Sequence, residues 1–438
     1  MAAETFLERL DRVPLNRFHW KLLIAAGIGW MFAAMDLVLI AFALTPIQNE
    51  FGLDAARTGL VASAGFVGML VGAAVSGPLA DRHGRRTLFQ AALLLFSVGT
   101  LLTAAGPSFE LLLAMRIVSG LGLGGALPVG STLLAEFAPK ASRGRLIVLL
   151  GSFWVYGMVL AGLVALVVLP AYGWRAVFLI GALPALYVIY LRRALPESPR
   201  YLAGHGRIPE ADAMVRRVER EGGGALITVA KPVAPGRPAV PGAPIGPGGR
   251  AGSLLGPHYV RRTAILWILW FGVTLSVYGL FGAIRSSEDL FGSALAQLAG
   301  LFSAAWLVER VGRRPTLVAC LLGAAASAIV LWTAAGGYSA VFTAMLAFFS
   351  LGAAGLAFAL STEVYPTAQR ATGAGTAQAV GFLGAIAAPL LVPTVVAAYG
   401  EAAVFGLITV ALLLAAAAVA GLHGETRARS LEELSPAA

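Results

Sequence analysis

Two ionisable residues stand where ionisable residues are costly. Asp36 lies inside the apolar run Trp30-Met-Phe-Ala-Ala-Met-Asp36-Leu-Val-Leu-Ile40, and Arg116 lies inside a second run that opens near residue 109. A charge in membrane-spanning sequence must be paired or face water. Helical rise puts Asp36 about 14 residues, roughly 21 Å, above the inner start of its run. It puts Arg116 about 7 residues below the outer start of its own, hence roughly 20 Å above the same inner face. The two depths coincide, so the pair can meet. A carboxylate changes its proton affinity when an arginine approaches or leaves it. Asp36 can then load a proton on one side of a membrane and release it on the other. A static structural ion pair is the plainer reading. A direct solute contact is the third, and Arg116 can also attract an anionic solute in competition with Asp36.

Charged turns form a second constellation. Gly77-Pro-Leu-Ala-Asp81-Arg82-His-Gly84-Arg85-Arg86 has a copy in Ala305-Trp-Leu-Val-Glu309-Arg310-Val-Gly312-Arg313-Arg314, and Asp81 and Glu309 are 228 positions apart. Glu136-Phe-Ala-Pro-Lys-Ala-Ser-Arg143 has a copy in Glu363-Val-Tyr-Pro-Thr-Ala-Gln-Arg370, 227 positions on. Pro196-Glu197-Ser-Pro-Arg200 has a weaker one at Gly424-Glu425-Thr-Arg427, with Glu425 again 228 positions on. Three motif pairs at one offset indicate a duplicated chain. Gly84 and Gly312 permit tight reversals. The repeated acid–arginine pairs can latch two halves together when the inner side is closed, or serve only topology and local folding.

Weaker candidates for solute contact are Trp154, Tyr156, Trp270, Tyr278 and Gln378, amphipathic or polar groups inside apolar runs. They suit a cavity with aromatic walls and sparse hydrogen bonds, and equally suit helix packing or the lipid boundary. Pro128 with its neighbouring glycines, Pro389 and Pro393 are read as mechanical. The five histidines have no metal-ligand spacing, and there is no nucleophile–base arrangement, phosphate loop or cysteine framework. A catalytic domain, an ATP-driven pump, a metal site and an organic cofactor are therefore not expected.

These residues need a scaffold. Of the 438 residues 58% are hydrophobic and 12% charged, and mean hydropathy is +0.81. So little charge cannot clothe a soluble surface. Apolar runs of crossing length occur near 22–44, 59–79, 88–106, 109–130, 146–168 and 174–191. A second set lies near 263–284, 291–308, 315–335, 338–361, 375–397 and 401–421. The expected fold is an all-α membrane protein with twelve transmembrane helices in two pseudo-symmetric six-helix bundles. Residues 1–21 form a cytoplasmic N-terminal segment, 22–191 the first bundle, 192–262 a cytoplasmic linker, 263–421 the second bundle and 422–438 a cytoplasmic tail. The linker contains an amphipathic stretch, Pro209–Gly222, and a stretch, Pro232–Pro257, rich in proline and glycine with almost no charge, which cannot build a core and reads as a flexible linker. With both termini cytoplasmic, all but four of the 32 basic residues lie inside, the exceptions being Arg57, Arg116, Arg175 and Arg285. The net charge of +10 is thus an orientation signal, and nucleic acid is not an expected partner.

The motif from Gly77 to Arg86, its copy from Glu309 to Arg314, and Pro196-Glu-Ser-Pro-Arg200 resemble the major facilitator superfamily, in its sugar-porter and metabolite–proton symporter branches. Gly27-Ile-Gly-Trp30 through Asp36, Leu123-Gly-Gly-Ala-Leu-Pro through Glu136, and Ser152-Phe-Trp154 further resemble the bacterial niacin-transporter-like group, related to synaptic vesicle protein 2. The resemblance implies the major facilitator fold, alternating access, and a helix 1 aspartate paired with a helix 4 arginine, the places held by Asp36 and Arg116. The sequence departs from the niacin-like pattern at Ala126 and Gly151, where that pattern carries glutamates, and in a helix 7–8 connection about ten residues shorter, around Arg285–Asp289.

The expected function is secondary active transport in the bacterial cytoplasmic membrane: proton-coupled symport of a small organic acid such as nicotinate or another aromatic carboxylate, by a monomer. Sugar or polyol symport, efflux of small apolar compounds, and a non-transporting receptor or scaffold are the alternatives.

Overall fold

The computed structural model describes residues 6–222, 254–257, 259–281, 287–333 and 339–422. Backbone groups in lipid have no water to bond, so apolar spanning sequence closes its hydrogen bonds within helices. A short helix α1 (Phe6–Arg12) precedes α2 (Arg17–Phe51), α3 (Ala55–His83), α4 (Arg85–Ala105), α5 (Phe109–Phe137), α6 (Arg143–Gly181) and α7 (Pro184–Ala194). After α8 (Pro199–Gly204) and α9 (Ile208–Glu221) come α10 (Val260–Phe281), α11 (Ser287–Arg310), α12 (Arg313–Thr333), α13 (Ser339–Glu363), α14 (Arg370–Tyr399) and α15 (Ala402–Ala420).

Among the described residues, ten helices are long and apolar enough to cross a membrane. One of these spans, Arg143–Ala194, has 52 residues, a length of roughly 78 Å against a hydrocarbon core of about 30 Å. Its path leaves helical geometry at Gly173, with φ 75° and ψ 176°. Several helices overrun the expected crossings, α2 by about three turns and α3, α5, α11 and α14 by about two, because hydropathy ends where charge begins whereas the helix continues into the polar interface, while α10, α12 and α15 keep close to the expected lengths. Thus α2 starts at Arg17, inside the segment expected to precede the membrane, capped by Asn16.

The duplicated sequence packs in a duplicated way. Helix α3 lies on α5 and α2 on α6, while α11 lies on α13 and α10 on α14. Small residues allow the closest approaches. A side chain at Gly72 would overlap the carbonyl of Leu121, and one at Gly300 that of Phe348. Gly72 and Gly300 are themselves 228 positions apart. Helices of the first half also pack on those of the second, α3 on α14 and α6 on α11.

The amphipathic stretch of the linker is α9, which buries Ala211, Val215 and Val218. It is tied to the N-terminus by Arg9, which meets Asp212 at 3.1 Å and Glu219 at 2.6 Å. The Pro/Gly-rich stretch lies almost wholly outside the described residues, as do Glu425 and all but the last three residues of the Arg285–Asp289 connection.

Candidate functional site

Asp36 and Arg116 meet. Both are fully buried, and Arg116 Nη2 stands 3.1 Å from Asp36 Oδ2 while Nη1 donates to Oδ1 at 3.2 Å. Two hydroxyls complete the carboxylate's partners. Thr100 donates to Oδ1 at 2.7 Å and Ser119 to Oδ2 at 3.2 Å. The guanidinium lies over the Phe178 ring, 5.4 Å from its centroid. Helices α2, α4, α5 and α6 thus converge on one ion pair closed off from water. Burying such a pair is favourable only when further hydrogen bonds satisfy its groups; Thr100 and Ser119 do this for the carboxylate, while Arg116 Nε is buried without a hydrogen-bond partner.

A separate cavity lies between the halves. Trp30, Leu127, Gly151 and Trp154 line it from one side, and Trp270, Thr274, Tyr278, Phe358, Gln378 and Phe382 from the other. Its free volume is about 60 Å³, well below the roughly 300–1,000 Å³ of ordinary ligand clefts, so the halves are drawn together around it. The Phe358 ring centroid is 4.6 Å from those of both Trp30 and Trp270. Of the five residues singled out in sequence, Trp154, Trp270, Tyr278 and Gln378 line this space. Tyr156 does not: it is 38% exposed and packs edge-on against Phe153. Trp154 and Tyr156 are two residues apart on one helix, about 200° around the axis, so one faces the cavity and the other cannot. Gly151 is in the wall, and Ala126 is fully buried but does not line the cavity.

The charged turns gather at one end of the bundle. Asp81 takes Arg85 Nη2 on Oδ1 at 2.7 Å, and Arg85 Nε stands 3.2 Å from Glu136. Contacts then cross between halves. Arg370 Nη1 donates to Glu136 at 3.0 Å, Arg85 donates to the Thr367 carbonyl at 2.9 Å, and Thr372 donates to Asp81. The second half repeats the pattern, with Arg313 3.2 Å from Glu309 and 3.3 Å from Glu363. Glu309 accepts from the backbone N–H of Arg145 at 2.9 Å. Thr372 and Arg145 stand at the same place in the first turns of α14 and α6. Neither helix has a side-chain cap of its own. Each receives a carboxylate from the opposite half at its positive end.

The remaining motif residues support this end. Gly84, at φ 98°, leaves room for the Glu197 carboxylate, which accepts from the backbone N–H groups of Arg85, Arg86 and Ser198 at 2.9–3.3 Å. Burial pushes the Glu197 carboxyl above the usual glutamate range. Gly312, at φ 114°, makes the matching turn, and Gly77 lies against the backbone of Ala371 and Thr372. Arg86 and Arg314 donate to the carbonyls of Arg192 and Ala420. The Arg82 carbonyl accepts from the Tyr201 hydroxyl, and Arg310 lies over Trp306 at 3.8 Å. Arg143 and Arg200 share Asp11 Oδ1 at 3.0 and 2.9 Å.

Sequence reasoning missed Asp11, Thr100, Ser119, Thr372, Trp30 and Phe358. Polar residues at the depth of Asp36 were the available signal for Thr100 and Ser119. Among the described residues, no group of three or more His, Cys, Asp or Glu could hold a metal ion.

The family model described as "Sugar (and other) transporter" matches residues 23–232 and 287–438. The niacin transporter of Acinetobacter baylyi is 41% identical, over 98% of this chain and 99% of that protein. The synaptic vesicle 2-related protein of Xenopus laevis is 28% identical, over 99% of this chain and 83% of that one. Among solved structures, the proton:xylose symporter XylE bound to 6-bromo-6-deoxy-D-glucose superposes with a TM-score of 0.77 at 21% identity, over 95% of this chain and 98% of that one.

Proposed function

The chain belongs to the sugar (and other) transporter family of the major facilitator superfamily, as a secondary active transporter of a small organic solute, and on that footing we propose that it imports an aromatic solute of the nicotinate type together with protons. The observation that carries the coupling is the closed Asp36–Arg116 pair. A scaffold has little use for an ion pair sealed among four helices, whereas a carrier whose helices shift can part it and expose Asp36 to water on one side. The solute site is the aromatic cavity, which the pair does not line. Coupling is then indirect: protonation of Asp36 loosens α2 from α4 and α5, and that movement reshapes the cavity wall that α2 contributes through Trp30.

In this reading the span 143–194 is two crossings and α14 is a further one, which makes twelve in two bundles, residues 22–191 and 263–421. The charged end is cytoplasmic, with both termini there, in a bacterial cytoplasmic membrane. Glu136–Arg370, Asp81–Thr372 and Glu309–Arg145 form the inner gate, closed here. Alternating access opens it by rocking one bundle against the other around the cavity. Two bundles in one chain make a monomer sufficient.

Sugar symport is the second reading, supported by the description of the matching family model. A sugar needs many hydrogen bonds, and the cavity offers few. Counterflow in proteoliposomes preloaded with nicotinate or with a hexose separates the two. Exchange of labelled nicotinate supports the proposal, and exchange of the hexose alone replaces it.

A further inference from the structure

The cavity holds an amide with nothing to bind. Gln378 is 1% exposed and lines the cavity, and neither its Oε1 nor its Nε2 has a hydrogen-bond partner. An unpaired buried amide is costly, and a ligand that brings a matching donor and acceptor removes that cost. Of its polar neighbours in the wall, Trp30 Nε1 is likewise buried without a partner and offers one further donor, whereas two others are already engaged. Trp270 Nε1 donates to Ser361 at 2.8 Å, and the Thr274 hydroxyl donates to the Trp270 carbonyl at 2.7 Å.

Charge points the same way. Among the described residues, no acidic or basic side chain lines the cavity. Arg116, the cation buried mid-membrane, is committed to Asp36 and covered by Phe178. A carboxylate bound among Trp30, Trp154, Trp270 and Phe358 would lose its water and find no counter-charge, which is the most costly way to bury an anion. A carboxamide carries no charge and presents a carbonyl and an N–H₂ on one planar edge. Those two groups are the reciprocal of the Gln378 side chain, and the attached ring fits between aromatic walls.

We propose that this cavity binds an uncharged aromatic carboxamide in preference to the matching carboxylate, and that Gln378 sets the preference. The inference rests on the reading of the cavity as the solute site. It narrows the solute class, from aromatic acid to its amide, and leaves the proton on Asp36.

The test is equilibrium binding of radiolabelled nicotinamide and nicotinate to the full chain in nanodiscs at pH 7.5, for wild type, Gln378→Leu and Gln378→Lys. Nicotinamide should bind wild type at least about tenfold tighter. Gln378→Leu should bring the two ligands close to parity by weakening the amide, and Gln378→Lys, which supplies a counter-charge, should reverse the order. Nicotinate binding to wild type as tightly as the amide overturns the inference while leaving the aromatic-solute proposal standing. So does a preference that survives in Gln378→Leu. Binding of neither ligand to folded wild-type protein overturns both.

Discussion

Thr372 donates twice to one oxygen of Asp81, from its backbone N–H at 3.0 Å and from its hydroxyl at 2.7 Å, across 291 positions of the chain. The contact fastens the last turn of α3 to the first turn of α14. Hydrogen bonds to a charged group contribute about 1.5–3 kcal/mol each. If these contacts form the proposed gate, Asp81→Ala should shift its balance from closed toward open by roughly ten- to a hundredfold. Spin labels placed on the charged ends of α3 and α14 would report it as a gain in the longer distance.

The Asp36–Arg116 pair makes an asymmetric prediction for stability. Arg116→Leu strands a buried carboxylate and should cost about 3–5 kcal/mol, whereas exchanging both partners for neutral groups should cost far less. Thermal unfolding in detergent should place Asp36→Asn/Arg116→Leu above Arg116→Leu alone. Equal melting temperatures would mean that the two side chains do not share an energy.

Helix α3 should tolerate bulk at one glycine and reject it at another. At Gly68 a side chain would overlap the Ile117 carbonyl, whereas at Gly59 nothing lies within 4 Å of an added carbon. Gly68→Val should abolish monodisperse protein in gel filtration, and Gly59→Ala should be neutral.

Asp11 carries a fourth expectation. Its Oδ1 accepts from Arg143 and Arg200, and all three residues are buried. Asp11→Ala leaves two arginines facing each other without their shared carboxylate. The expected result is a lower melting temperature with faster proteolysis of the N-terminal segment, partly reversed by Arg200→Met in the same chain.

What the sequence disclosed follows its physics. Crossing length and hydropathy located the long helices, because lipid allows little else. Depth alone brought Asp36 to Arg116, because both sit in regular helices whose rise is fixed. The constant offset between motif copies foreshadowed the repeated close approaches at Gly72 and Gly300. Side-chain direction was harder to read. Tyr156 is as amphipathic as Trp154 but lies on the other side of α6, and a helix that is apolar all round gives no moment by which to tell its faces apart. Asp11 was hidden for another reason. It sits in a short, charged, ordinary-looking segment, and only the fold brings it to Arg143 and Arg200, 132 and 189 positions away.

The measurement closest to the central claim is uphill uptake. Proteoliposomes holding wild type or Asp36→Asn would be given labelled nicotinate and, in parallel, labelled nicotinamide, with and without an inward proton gradient. The account expects wild type to accumulate solute above equilibrium only under the gradient. It expects Asp36→Asn to lose that accumulation while still exchanging solute across the membrane. Accumulation that persists in Asp36→Asn would contradict the account and remove Asp36 as the proton carrier.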